Sequence, residues 1–147
     1  GRAWLGTGWA FSPRTRTDVR VAAVVPTAHG WRFRLENTGT RPARPVVSAR
    51  CLRRVVSSDG GERLAFRVNR RTFSDTVGPG VARFSHRCGP GQFSVATGSA
   101  VDASAPIVLT GSYPSAARGG SWSYTRAGAD EQVASFLVCL ARGSRFA

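Results

Sequence analysis

Three cysteines, two histidines and eight carboxylates are the residues of this 147-residue chain whose types could do chemistry. Acyl transfer needs a Ser or Cys nucleophile, a base and a group that orients the base. The bases are His29 and His86. His29 sits in an Ala28-His29-Gly30 turn, the ordinary place for a surface imidazole, and His86 stands two residues before Cys88. No G-x-S-x-G elbow is present. Asp130 and Glu131 are adjacent, so on a strand they face opposite ways and cannot pair across a glycosidic bond. Gly78-Pro79-Gly80 and Gly89-Pro90-Gly91 lead into strand-like sequence rather than a helix, so neither cradles a phosphate. There is no Lys, which removes Schiff-base, Walker-type and isopeptide chemistry. Without a C-x-x-C pair, and with His86 and Cys88 as the only close His/Cys neighbours, zinc is not expected. The chain therefore reads as a non-enzyme, with no catalytic residue, metal, cofactor or small-molecule substrate.

The cysteines make more sense as staples, because the chain repeats itself. Gly1–Leu52 and Gly91–Leu140 carry the same landmarks in the same order. Gly1 to Ala10 answers Gly91 to Ala100, Pro26 answers Pro114, Trp31 answers Trp122, and Cys51-Leu52 answers Cys139-Leu140. A period this long signals two copies of one structural unit. Cys88 opens the second copy and Cys139 closes it, so a Cys88–Cys139 disulfide is expected. Cys51 stands at the closing position of the first copy, whose opening Cys would lie upstream of Gly1. It is then either a buried free thiol or a thiol bonded outside this chain.

The elements that must hold these residues are strands. Short apolar runs rich in Val, Phe, Thr and Trp alternate with Gly/Pro/Ser clusters, and no stretch longer than a turn has a helical period. Leu5, Thr7, Trp9 and Phe11 share one strand face. Trp31, Phe33 and Leu35 oppose Arg32, Arg34 and Glu36, which describes a half-wet strand. Residues 132–140 are apolar on both faces and should be central. Four strands precede residue 53, three follow in 63–87, and four more close the chain. The expected fold is all-β: a pseudo-duplicated, immunoglobulin-like β-sandwich or pair of sandwiches, with 1–54 an incomplete first unit and 55–147 the second. A division at 87/88, or one sandwich of all eleven strands, fits the same count.

Charge is lopsided. The net charge is +13, and residues 1–87 hold 17 Arg against five acids while 88–147 hold four Arg against three. Such a field attracts polyanions. Arg32, Arg34, Arg50, Arg53, Arg54, Arg67, Arg70 and Arg71 could form a basic sheet face for acidic polysaccharide, cell-wall polymer or nucleic acid. Trp31 and Phe33 alternate away from it, so contact would be electrostatic rather than stacked. No apolar run reaches the roughly 20 residues of a membrane helix. The absence of Met suits a chain whose Gly1 follows a cleaved secretory signal.

The second copy reads Cys88-Gly-Pro-Gly, Ala96-Thr97-Gly98, Ser112-Tyr113-Pro114, Trp122 and Phe136-Leu137-Val138-Cys139. It resembles a repeated Cys-containing domain of secreted actinobacterial proteins. Trp31 to Leu35 followed by Glu36-Asn37-Thr38-Gly39 resembles the strand and Asn-x-Gly turn of CARDB-like adhesion sandwiches. Both departures concern the opening Cys: Gly89 separates Cys88 from Pro90, and the first copy lacks that Cys. The resemblance implies a non-catalytic extracellular module used for adhesion, wall association or assembly.

Two functions are then in view. The apolar N-terminal strand, with Trp4, Leu5, Trp9 and Phe11, would complete another subunit's sheet and build a homo-oligomer or filament at the cell surface. The same side chains could instead fill their own core. The other function is a secreted binding module that uses the Arg face.

Overall fold

Val133, Leu137 and Cys139 point to one side of a strand and Val138 and Leu140 to the other, and both sets are buried. Each set seeds its own apolar cluster. The strand, Glu131–Ala141, is the twelfth of thirteen among the described residues (4–14, 18–57, 59–102, 106–141 and 145–146, without the side chains of Trp4, Arg145 and Phe146) of this computed structural model. In chain order they are β1 (Trp4–Ser12), β2 (Val19–Pro26), β3 (Trp31–Asn37), β4 (Val46–Arg53), β5 (Val55–Ser57), β6 (Arg63–Ala65) and β7 (Arg67–Val77). There follow β8 (Gly80–Arg87), β9 (Gln92–Ala100), β10 (Ile107–Ser115), β11 (Gly119–Arg126), β12 and β13 (Arg145–Phe146). No helix occurs among the described residues.

Four sheets result. One has the order β3-β2-β9-β12-β7, a second β10-β11-β8, a third is the ribbon β1-β4, and a small fourth is β13-β6-β5. The larger cluster lies between the first two sheets, with Trp122 and Tyr124 of β11 and Ile107 of β10 against Ala22, Val77, Val133 and Leu137. Burying each of the Val, Leu and Ile side chains contributes about 1.5–3 kcal/mol. The smaller cluster joins Leu5 of β1 to Ala96, Val138 and Leu140, with Trp31, Phe66 and Val68 packed around it. The units 1–54 and 55–147 share a sheet: β2 pairs with β9 through Ala23–Ala100 and Val24–Ser99.

Cys88 and Cys139 are bonded and buried, as their places in the repeat require. A buried disulfide fits an oxidising, extracellular environment. Among the described residues no helix is long and apolar enough to cross a membrane. The first two of the three strands expected in 63–87, Arg63–Val68 and Thr72–Val77, divide differently: β6 ends at Ala65, and β7 runs unbroken from Arg67 to Val77 through residues 69–71. Asn69, Arg70 and Arg71 are tolerated there because β7 is an edge strand whose side chains reach water.

The two copies share a ladder pattern: β1 pairs with β4 and β2 with β3, as β9 pairs with β12 and β10 with β11. They also share both bulges. The extra residue of β1 is Thr7, beside the partners of Cys51 and Arg50; that of β9 is Val95, beside those of Cys139 and Val138. The extra residue of β2 is Ala22 and that of β10 is Thr110. Every one of these counterparts lies 88 residues later. Bulges fix register and are positional features rather than noise. They correct two sequence pairings. Trp4–Ala10 is not in register with Ser94–Ala100 but two residues displaced, and the counterpart of Trp122 is Phe33, not Trp31. Matching glycines and tryptophans by identity misses a register that the backbone sets.

Candidate functional site

The N-terminal strand is tied into its own chain. Leu5 is 1% exposed. The Trp9 indole donates to the Thr97 carbonyl at 2.8 Å and meets Phe33 edge-on. Phe11 is half-buried, and Trp4 lies in β1 with its side chain outside the described residues. Trp31 rests on Gly6, where a Cβ would come within 2.4 Å of the indole nitrogen.

The strand that β1 pairs with is the one left open. Among the described residues β4 pairs with β1 alone, as one edge of a two-stranded ribbon, and all eight of its residues are exposed. The exposure continues through the three residues of β5. Val46, Val47, Leu52, Val55 and Val56 are among the exposed large apolar side chains of the molecule. Cys51 stands in this strand as an exposed free thiol, not a buried one. A strand of this length with a bare edge offers a row of unpaired N–H and C=O groups to another strand. The sequence pointed to β1 because aromatics signal burial, whereas the Val/Ser/Ala/Arg run of β4 carries no comparable signal.

The eight candidate arginines do not share one face. Arg32 and Arg34 lie on β3 and Arg67, Arg70 and Arg71 on β7, the two opposite edges of the five-stranded sheet. Arg50 and Arg53 lie on β4, on opposite faces by alternation, and Arg54 follows it. Arg70 likewise points away from Arg67 and Arg71. Several guanidinium groups also have intramolecular work. Arg34 donates to the Val101 carbonyl, Arg70 to that of Thr27 at 2.7 Å, and Arg71 to that of Arg87 at 2.7 Å. Arg71 also lies over the Phe73 ring.

One constellation escaped the sequence reading. Asp75 of β7 is buried, and both its carboxylate oxygens lie 2.9 Å from His86 Nε2 of β8. Ser135 Oγ donates to Asp75 Oδ2 at 2.7 Å, and the Tyr124 hydroxyl lies 2.6 Å from Ser99 Oγ and 3.4 Å from Ser135 Oγ. His86 stacks on Phe73 at 3.9 Å and tilts against Trp122. Burial, with a small contribution from the Asp75 charge, pushes the Tyr124 phenol above its ordinary value of 10.0, although its bonds to Ser135 and Ser99 act the other way. A His–Asp pair is the base and orienter of a triad. Ser135 is fully buried and already donates to the carboxylate, and the neighbouring Ser85 hydroxyl bonds to that of Ser121. The pair satisfies a buried carboxylate, and the open cavity beside it is lined by Ser85, His86, Arg87 and residues 115–119. Among those residues no group of three or more His, Cys, Asp or Glu could hold a metal.

A second concavity, about 330 Å3, lies between Trp9 and Phe11 of β1 and residues 108–112 of β10, with Val19–Val21 of β2 beside them. Comparison with protein-family models, with curated proteins and with solved structures finds no match.

Proposed function

We propose that this chain is a non-catalytic extracellular structural module that self-associates by pairing strand edges, with β4 as the contact strand. The observation that carries this reading is the state of β4: an edge strand exposed at all eight positions, with Val46, Val47 and Leu52 open to water. Edge strands normally carry inward charges, Pro or a covering loop against such pairing. Arg50 and Arg53 are the only charges in β4, and it has no Pro. Donation of β1 itself would break the Trp9–Thr97 bond and expose Leu5, so edge addition at β4 is the less costly route to a homo-oligomer or filament. The immunoglobulin-like sandwich and the surface location belong to the same proposal, supported by the all-β layers and the buried disulfide.

The test replaces Val47 and Leu52 by Lys, the residue that commonly guards natural edges. Both sites are exposed, so stability should change by less than about 0.5 kcal/mol. Sedimentation should then show the parent chain growing in mass with concentration and the double variant staying monomeric; equal association of the two would remove β4 from the contact.

The charge supports a second reading, in which exposed Arg32, Arg50, Arg54 and Arg67 hold an acidic polymer. Salt separates the two. Polyanion binding weakens as salt rises, whereas edge pairing between chains of net charge +13 strengthens as repulsion is screened.

A further inference from the structure

The repeat explains the groove between β1 and β10. In the first copy, the edge of β2 is covered by the first strand of the second copy, through Ala23–Ala100 and Val24–Ser99. Moving each residue by the 88-residue offset turns these pairs into Gly111 with Ser12 and Ser112 with Phe11. Phe11, Gly111 and Ser112 all line the groove. Among the described residues β1 pairs only with β4 and β10 only with β11, and neither β4 nor β11 lines the space. The groove is therefore the counterpart of a closed seam, left open.

Side chains hold it open. In the closed seam, β2 presses so close to β9 that a Cβ on Gly98 would lie 2.3 Å from the Val24 carbonyl oxygen. The counterpart of Gly98 is Ala10, which carries that Cβ. The counterparts of Thr97 and Ser99 are Trp9 and Phe11. β1 thus cannot close on β10 as β9 closes on β2, and β10 keeps a bare edge beside an aromatic wall. β10 lines the groove with five consecutive residues, Val108 to Ser112, as a strand does when it presents an edge rather than a face.

We propose that this groove binds an extended polypeptide segment of small, uncharged residues with a central glycine, which adds to β10 as an antiparallel strand. The closed seam supplies the template: Thr97-Gly98-Ser99-Ala100 is what covers the matching edge of β2. The chemistry of the lining agrees, and the match continues an interface that the chain already makes within itself. The one charged group there is Arg20, bonded to Glu36 at 2.6 Å and to the Ile107 carbonyl at 3.1 Å. A neutral strand leaves that pairing intact and gains main-chain bonds along β10, the mode of recognition by strand addition. This site is separate from β4 and does not depend on self-association.

The probe is a synthetic peptide copying Val95–Val101, capped at both ends, added to the full chain carrying Val47→Lys and Leu52→Lys. Hydrogen exchange should show amides 108–112 becoming protected and those of β4 unchanged, and Trp9 emission should shift. Replacing the peptide's central Gly by Val should weaken binding at least tenfold. Gly111→Val in the protein, where a Cβ meets only ordinary contacts at 3.7 Å or more, should also weaken it. Equal binding of the Gly and Val peptides, or no protection of 108–112, would overturn the proposal. Protection of 108–112 that rises with protein concentration in the absence of peptide would overturn it too, in favour of a second copy as the occupant.

Discussion

Asp75 is a carboxylate with 7% of its surface exposed, held by one hydroxyl and one imidazole. Removing an acceptor of this kind strands its donors in the core, which costs more than a hydrogen bond contributes on average. Asp75→Ala should therefore lower stability by about 2–3 kcal/mol in urea denaturation; a change under half of that would mean water replaces the carboxylate. Tyr124 gives a pH test with a definite sign. Its phenol titrates above the ordinary value in the folded chain, so above about pH 10 the unfolded chain loses a proton that the folded chain keeps. Stability falls as pH rises through that window, and Tyr124→Phe should flatten the fall even though it loses the bonds to Ser99 and Ser135. Replacing Cys88 and Cys139 together by Ala should cost about 4 kcal/mol, since the bond closes a loop spanning 51 residues. That pair was legible because the repeat brackets it. The Asp75–His86 pair was not. The two residues stand eleven apart on strands joined by a tight turn, which suggests a hairpin. Their strands instead enter different sheets and meet across the core, and alternation alone does not say which faces meet.

Among the elements, β12 and β4 show why burial was legible in one place and not in another. β12 is apolar on both faces, and only a central position satisfies it. β4 mixes Val, Ala, Ser and Arg, so nothing in its sequence separates a half-covered strand from a bare one. The all-β class followed from the spacing of apolar runs and turns, but the arrangement of sheets did not, because β2–β9 pairing joins segments more than seventy residues apart. Gly98 tests the duplicated seam. A methyl there collides with a backbone oxygen, which cannot swing aside as a side chain can. Gly98→Ala should cost about 1–3 kcal/mol, the range for overpacking. Ala10→Gly, at the counterpart position, should cost no more than about 1 kcal/mol, the entropy of a strand glycine. Thermal unfolding of the two variants checks the asymmetry; equal losses would mean that the seam and the groove are not counterparts.

At the scale of the molecule, a net charge of +13 repels copies at low ionic strength, against the attraction that the proposed function assigns to β4. Association should therefore strengthen between low and moderate salt, which light scattering can follow, and weaken with Lys at positions 47 and 52. The sequence located the charge but not its use, because the arginines fall on edges and opposite faces of three strands rather than on one surface. The central claim is that β4 is the self-association strand, and hydrogen exchange measured across a range of protein concentration tests it most directly. The expected result is that the amides of Val46–Arg53 gain protection as concentration rises from the monomer of 15.7 kDa, with Val47→Lys and Leu52→Lys abolishing the gain. Exchange in β4 that stays constant while the mass increases would contradict it.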